Sequence, residues 1–369
     1  MYILKVFLIV FFLVALGIYL GILTRWILLW KKAKMNLRNG INGKGETLSL
    51  VIPFRNESFR LLRLLNQLIE ESKNFPDLKI ILVNDHSTDS TLEEINEVVK
   101  NHANIVLIPT EGPGKKMTVW SGMKLVSSPF VITLDADVIL PQHWLESVIS
   151  ISENTNMDLV ILPVFAKSDD SFFGNLQETE FSSLTAVTGA SAMSGNALMC
   201  NGANLFFKRD FYFAHIDKLR LDISSGDDMF LLQAVKEKGQ LKYAFSRSLI
   251  IEIETEKRWN NFFRQRVRWA GKTVFLRDSY ILFFGALLLI LQCGWFFFLL
   301  FDPAQFLLFF LLKTLWDAAL IWNMNLRFSR STSVNRVVLL ALLYPFYVFI
   351  ITLASVFYKP SWKNRIIKY

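Results

Sequence analysis

Cysteine is nearly absent. Cys200 and Cys293 are the two in 369 residues, too few for a disulfide framework, and both read as plain packing residues. Charge is scarce in four long stretches. Residues 2–23 carry Lys5 alone, a run of about 22 residues that as a helix covers the ~30 Å hydrocarbon core of a bilayer. That length, and the lack of a clear small-x-small site after it, count against a cleaved signal peptide and for a retained anchor. Residues 280–301, 306–322 and 337–357, the last interrupted by Pro345, are each long enough to cross as well. Also missing is any Gly-x-Gly-x-x-Gly or P-loop after a strand pattern, which counts against a dinucleotide oxidoreductase and a P-loop enzyme. No internal repeat or low-complexity tract occurs.

Between residues 36 and 279 charged residues recur and no comparable apolar run appears, so this stretch is a water-facing domain. The net charge of +8 is concentrated beside the spans: Lys31, Lys32, Lys34 and Arg38 after the first, Arg327, Arg330 and Arg336 between the last two. Basic flanks mark the cytoplasmic side; they account for the charge without nucleic acid and place the domain in the cytoplasm. Three C-terminal spans would leave the basic tail (Lys359, Lys363, Arg365, Lys368) outside, unless one segment is interfacial or re-entrant. Within the membrane, Lys313 and Asp317 are spaced to pair on one helix face; mutual neutralisation is the simpler reading, a partner or polar pathway the alternative.

Across the domain, short apolar runs alternate with helical patterns, the mark of an α/β domain with a largely parallel sheet. The patterns predict strands at residues 48–54, 79–83, 104–108 and 130–134. They predict helices over residues 59–68, with Asn56 or Ser58 as cap, from about residue 91, and over residues 229–238. Residues 36–46, with three glycines, read as a flexible link. In open α/β sheets ligands bind at the carboxyl ends of the strands, and the acidic clusters stand there. Asn84-Asp85-His86-Ser87-Thr88-Asp89 follows the second strand; Ser87, Thr88 and Asp89 suit helix capping or ligand contact equally, whereas Asp85 suits hydrogen bonds from a nucleobase or ribose. Asp135-Ala136-Asp137 follows the fourth strand. On an extended chain both carboxylates share a face and converge on one hard divalent ion; a solvated turn is the plainer alternative. At Ser224-Ser225-Gly226-Asp227-Asp228 the helix dipole accounts for one acid, leaving the other, Asp228, as a base for an attacking hydroxyl. Arg264-Gln265-Arg266-Val267-Arg268-Trp269 suits a membrane-surface helix or, equally, phosphate and sugar contact.

Taken together over about residues 49–269, these segments resemble glycosyltransferase family 2. Val51-Ile52-Pro53-Phe54-Arg55-Asn56-Glu57 is similar to its opening strand, Gly114-Lys115-Lys116 to its lysine segment, Cys200-Asn201-Gly202-Ala203-Asn204 to the segment beside the acceptor, and Gln265-x-x-Arg268-Trp269 to the motif of the synthase-like branch. Asp227-Asp228 departs slightly from the usual Glu-Asp pair. The resemblance implies a GT-A (Rossmann-like) α/β domain in the cytoplasm, with one N-terminal and about three C-terminal transmembrane helices. It implies inverting transfer from a nucleotide-diphosphate sugar, a UDP-sugar by expectation, to a lipid or glycan acceptor, with processive polysaccharide synthesis or a non-catalytic nucleotide-sugar-binding partner as the alternatives. By that resemblance Asp228 is the base, and Asp137 with Asp135 holds Mg2+ or Mn2+. The donor is held by Pro53, Glu57, Asp85, Lys115, Asp135 and Arg268, and the acceptor by Asn201, Gly202, Asp227, Gln265 and Trp269. The expected organisation is an anchor at 1–30, a basic link at 31–46, the catalytic domain at 47–256, an interfacial helix at 257–279, spans at 280–358 and a basic tail at 359–369, in a bacterial inner or plasma membrane.

Overall fold

The computed structural model describes residues 2–34, 45, 47–221, 226–273, 276–357, 361–362 and 365–366, with backbone alone at 272–273, 361–362 and 365–366. The expected link, apart from Gly45, the side chains of the basic tail, and Ser224 and Ser225 lie outside the described residues.

Helix α1 (Tyr2–Lys32) comes first. There follow β1 (Leu48–Phe54), α2 (Ser58–Ser72), β2 (Lys79–Asn84), α3 (Thr91–Lys100), β3 (Ile105–Pro109), α4 (Lys115–Met123), β4 (Phe130–Leu134), α5 (Trp144–Asn154), β5 (Leu159–Ile161) and β6 (Val164–Lys167). After α6 (Phe172–Met193) come β7 (Asn204–Lys208), α7 (Arg209–Ala214), α8 (Asp227–Lys238), β8 (Leu241–Tyr243) and β9 (Ile251–Glu254). Helices α9 (Trp259–Thr273), α10 (Ser279–Phe301), α11 (Pro303–Phe328) and α12 (Val334–Phe357) complete the set. These elements divide into two compact units: residues 1–34, 168–198 and 256–358 form a helical unit, and residues 35–167, 199–255 and 359–369 a sheet unit. Helix α6, expected inside the catalytic domain, thus belongs with the apolar helices.

In the sheet unit seven strands run in the order β3-β2-β1-β4-β7-β5-β8. The first four are mutually parallel, β7 is antiparallel to both β4 and β5, and β8 is parallel to β5. All residues of β1 and β4 are buried, as expected of central parallel strands covered on both faces. Both strands match the expected residues, and Leu61, Leu64, Leu65 and Leu68 of α2 form the expected buried face. The cap of α2 differs. Glu57 holds the N-cap position without a side-chain cap bond, and Asn56 Oδ1 instead accepts from Thr88 N at 2.8 Å. Helix α8 starts two residues earlier than predicted, with Asp227 and Asp228 as its first turn.

Two glycines set the position of α4. Gly114, its N-cap, has φ of 101°, a region that L side chains avoid. A Cβ on Gly122 would lie 2.7 Å from Val51 Cγ1 and 2.9 Å from Val83 Cγ2, so α4 rests on β1 and β2 only because that side chain is missing.

Among the described residues the helical unit contains four helices long and apolar enough to cross a membrane: α1, α10, α11 and α12. Helix α1 is tied at both ends. Lys5 Nζ donates to Phe301 O at 3.2 Å and lies 3.5 Å from Asp302; at the other end Arg327 Nε donates to Trp30 O at 2.8 Å. Lys313 and Asp317 pair at 2.7 Å, as their spacing predicts, and Tyr19 of α1 adds a hydroxyl donor to Asp317 at 2.6 Å. Neutralisation within the bundle is what low-dielectric surroundings require of such charges.

A second buried pair joins α6 to α9. Arg266 Nη2 lies 2.5 Å from Glu180 Oε2, with side chains 4% and 7% exposed, and Tyr347 of α12 donates to Glu180 Oε1 at 2.9 Å. Burial opposes the charge on Arg266, yet Glu180 outweighs it and raises the guanidinium pKa.

Gly122→Ala must push α4 off the sheet. Overpacking of this kind costs about 1–3 kcal/mol, so the variant should melt at a lower temperature than the parent chain. An unchanged melting temperature would show that α4 is not held at this contact.

Candidate active site

The carboxyl end of β4 and the amino end of β7 lie side by side. Antiparallel pairing puts Leu134 opposite Asn204, and one step further Asp135 N donates to Ala203 O at 3.4 Å. Asn204 is fully buried and fixes this end of β7, its side-chain amide donating to Pro163 O at 3.1 Å and Leu249 O at 3.0 Å. Thr133 Oγ1 donates to Gly202 O at 3.2 Å. The loop after one strand and the loop before the other are therefore locked together.

Helix α8 delivers its first turn to the same place. Gly202 N donates to Asp228 Oδ2 at 3.4 Å, Met229 N donates to Asp228 Oδ1 at 2.9 Å, and Cys200 Sγ donates to Asp228 O at 3.3 Å. A Cβ added to Gly202 would stand 3.4 Å from Asp228 Cβ, 3.6 Å from Asp227 Oδ2 and 3.6 Å from Lys115 Nζ. Gly202 is thus the floor between three charged side chains. Its neighbour Asn201 turns inward on the loop, its Oδ1 accepting from Ala203 N at 3.0 Å.

Lys115, the first residue of α4, closes the cluster with its Nζ 2.5 Å from Asp135 Oδ1. Burial favours the neutral amine, but Asp135, Asp227 and Asp228 together outweigh it and raise the ammonium pKa well above its ordinary value. Lys116 plays a different part. Fully buried, it donates to the carbonyls of Leu219 and Arg220 at 2.9 Å each and stacks over the Phe230 ring at 4.4 Å. Of the two lysines it is Lys115 that meets the acids.

Asp85, 1% exposed, follows β2 with its N donating to Phe54 O at 2.8 Å. Its Oδ2 accepts from Gly114 N at 3.0 Å, so the buried carboxylate fastens the residue before Lys115. Arg55 Nη1 donates to the carbonyls of Asp85 and His86 at 2.6 Å each, and Ser87 Oγ accepts from Asn56 N at 3.0 Å. Asp89 accepts from Thr91 N at 3.1 Å in a local turn, one residue before Ser90, the N-cap of α3. Pro53 is buried in β1 opposite Val83.

Asp135 and Asp137 do not sit on an extended strand. Strand β4 ends at Leu134, and Ala136 and Asp137 form a turn, so the alternation that would put both carboxylates on one face does not apply. Asp135 meets Lys115, whereas the Asp137 carbonyl accepts from Arg63 Nη2 at 3.4 Å and its charge, with those of Glu57 and Glu254, outweighs burial in raising the Arg60 pKa. Glu57 lies 3.4 Å from Arg60, and Glu254 3.0 Å from Arg63. Arg60 and Arg63 are additions to the expected set; their spacing from Glu57 is visible in the sequence, but an argument from the apolar face of that helix passes over them. Among the described residues no group of three His, Cys, Asp or Glu side chains gathers as a metal cage. The oxygen donors of Asp135 and Asp137 nonetheless fit a hard cation that takes one or two carboxylates and completes its shell with substrate phosphates.

Gln265, Arg268 and Trp269 belong to α9 in the helical unit. There Gln265 Nε2 approaches Glu256 Oε1 at 3.5 Å, and Trp269 offers its ring to Arg266 at 4.4 Å and packs on Phe181 at 6.0 Å. One arginine of this basic stretch, Arg266, serves packing rather than phosphate.

Comparison with known proteins agrees with this architecture. Residues 49–213 match the model of glycosyl transferase family 2. A poly-beta-1,6-N-acetyl-D-glucosamine synthase of Staphylococcus epidermidis is 27% identical over 63% of this chain and 56% of its own length. The enzyme of the same name from Staphylococcus aureus is 25% identical over 64% and 57%. The chain thus spans a little over half the length of these relatives. Among solved structures, a mannosyltransferase from Pyrobaculum calidifontis, in complex with GDP-Man and Mn2+, superposes with a TM-score of 0.60 at 15% identity, over 96% of this chain and 98% of that one, a likeness of fold. Residues 49–213 are thus similar to glycosyl transferase family 2, and the chain shares the GT-A-like α/β fold of that mannosyltransferase.

Proposed function

We propose that this chain is a membrane-bound glycosyltransferase that moves a sugar from a nucleotide-diphosphate sugar, a UDP-sugar in the first instance, onto a lipid or glycan hydroxyl with inversion. The observation that carries the reading is the convergence of Lys115, Asp227 and Asp228 around the bare Cα of Gly202, with Asp135 paired to Lys115. Asp228 takes the proton of the acceptor hydroxyl; the freed oxygen bonds to the anomeric carbon as the bond from that carbon to the diphosphate breaks, and the diphosphate leaves with the electron pair. Lys115, kept cationic by its acidic neighbours, turns from Asp135 to the donor phosphates. Asp227, Asn201 and the open floor at Gly202 receive the acceptor, while Pro53, Glu57 and Asp85 shape the nucleoside side. A divalent cation, Mg2+ or Mn2+, held by Asp135 and Asp137 with donor oxygens, supplies charge neutralisation on the leaving group. The basic flanks of the spans favour a cytoplasmic catalytic domain on a bacterial inner or plasma membrane.

A second reading, processive synthesis, is favoured by the relatives, which are polymer synthases by name. Incubation of the purified full chain with labelled nucleotide sugars and a hydroxyl acceptor separates the two: one added sugar supports single transfer, a ladder supports polymerisation, and donor binding without any turnover overturns both.

Three variants test the assignments. Asp228→Asn should lower turnover by about 10² or more with donor affinity nearly unchanged; full activity would remove Asp228 from the role of base. Gly202→Leu fills the space between the charged groups, so it should abolish transfer while the melting temperature stays close to that of the parent; retained turnover would mean that the substrates bind elsewhere. Because the folded-state pKa of Lys115 is raised, its charge is complete below the unfolded value of about 10.4 and is lost only as pH rises through the higher folded value. Lys115→Met should therefore weaken donor binding by about tenfold or more, by the same factor throughout roughly pH 6 to 9. An effect confined to one end of that range would contradict this role.

A further inference from the structure

The turn that carries Asp137 lies past the end of its strand. The register of β4 with β7 stops at Leu134, and Ala136 and Asp137 form the turn beyond it. Fastenings reach this segment from β9 and from α2, all within the sheet unit. Ile139 N donates to Glu252 O at 2.8 Å and Glu252 N to Ile139 O at 3.0 Å, which ties the chain after the turn to β9. At Asp137 itself, Arg63 of α2 supplies a fork: Nη2 donates to the Asp137 carbonyl at 3.4 Å, and Nη1 donates to Glu254 Oε1 of β9 at 3.0 Å. Arg60, one helical turn earlier, lies 3.5 Å from Glu254 Oε2 and 3.4 Å from Glu57 Oε2. Glu254 is therefore engaged on both oxygens and aims the Arg63 fork at the turn.

This pose is unfavourable for one atom of Arg63. Its Nε is buried with no hydrogen-bond partner, although the side chain as a whole is 25% exposed. A buried donor left unbonded is destabilising, and an arginine free of other demands would turn Nε to water. The two-point hold on Glu254 and Asp137 keeps it in place, and a polar atom held unsatisfied in this way calls for a reason.

We propose that Arg63 is a positioning residue for the cation site: by gripping the Asp137 backbone it fixes the turn, so that the Asp137 carboxylate is presented to the divalent ion in one orientation. The inference rests on the reading above, in which Asp135 and Asp137 hold Mg2+ or Mn2+. The Arg63 contact takes the carbonyl of Asp137 and so does not itself compete with the ion for carboxylate oxygens. Groups that orient a metal ligand without touching the metal govern its affinity almost as strongly as the ligand does. The charge of Arg63 acts in the opposite sense, because a guanidinium bonded to Asp137 repels a cation arriving there. Position and field therefore make opposite predictions for its removal.

UDP binding to the purified full chain in detergent, followed by calorimetry over a series of Mn2+ concentrations and in EDTA, tests this. Mn2+ should strengthen UDP binding to the parent chain, and Asp137→Asn should blunt that response. Arg63→Met should raise the Mn2+ concentration needed for the half-maximal response by about tenfold, with UDP affinity in EDTA unchanged. Because the Arg63 and Glu254 side chains are 25% and 37% exposed, their pair adds little to stability, and the melting temperature should stay close to that of the parent. Arg63→Lys keeps the charge but loses the planar fork, so it should resemble Arg63→Met. A Mn2+ requirement that is unchanged or lowered in Arg63→Met, while Asp137→Asn blunts the response, overturns the positioning role alone. Loss of UDP affinity in EDTA shows general damage to the pocket and overturns it too. A response to Mn2+ that is absent from the parent, or intact in Asp137→Asn, overturns the cation assignment itself and the role of Arg63 with it.

Discussion

The reversed strand β7 is the constraint on which the site depends. Were β7 parallel to β4, the loop that carries Asn201 and Gly202 would lie at the opposite edge of the sheet from Asp135. Antiparallel pairing instead sets Leu134 against Asn204, so residues on either side of two strand ends become neighbours. Backbone hydrogen bonds make this placement rigid. The buried Asn204 amide extends it to the segments at Pro163 and Leu249, and Asp228 is fastened to the same loop through Gly202 N.

The electrostatics follow from that geometry. Asp135, Asp227 and Asp228 are brought together around a single ammonium, Lys115, which lies on a helix seated against the sheet at Gly122. Like charges so close repel unless compensated; two unit charges ~4 Å apart interact by about 4 kcal/mol at an effective dielectric of 20. Lys115 offsets that repulsion, and the proposed transfer asks the same cluster to receive a cation and to accept a proton. Asp85 contributes at one remove, since its buried carboxylate holds Gly114 and so the start of the helix that presents Lys115.

Much of this is legible in the amino-acid pattern, and the limits have physical causes. Strands β1 and β4 follow from uninterrupted apolar runs, because strands buried on both faces leave little room for polar residues. The Lys313 and Asp317 pair follows from helical spacing. Strand β7 is harder to foresee because nothing in Asn204–Lys208 encodes its direction, which only its neighbours decide. Asp135 and Asp137 do not alternate along a strand because β4 ends at Leu134 and the chain turns at Ala136, a local departure that alternation arguments assume away. Arg266 resembles a phosphate ligand in sequence because its partner Glu180 is 86 residues distant. Asn56 has the chemistry of a helix cap, but the fold brings Thr88 to its side and takes up its carbonyl.

Helix α1 is pinned by Lys5 at one end and Arg327 at the other. A helix free at its ends answers a thin bilayer by tilting. This one, 31 residues long, is braced against α10 and α11 and behaves as a strut of fixed length. Thickness mismatch is then taken up by the surrounding lipid, so a change of membrane composition would deform the annulus around the protein before it altered the packing of the bundle.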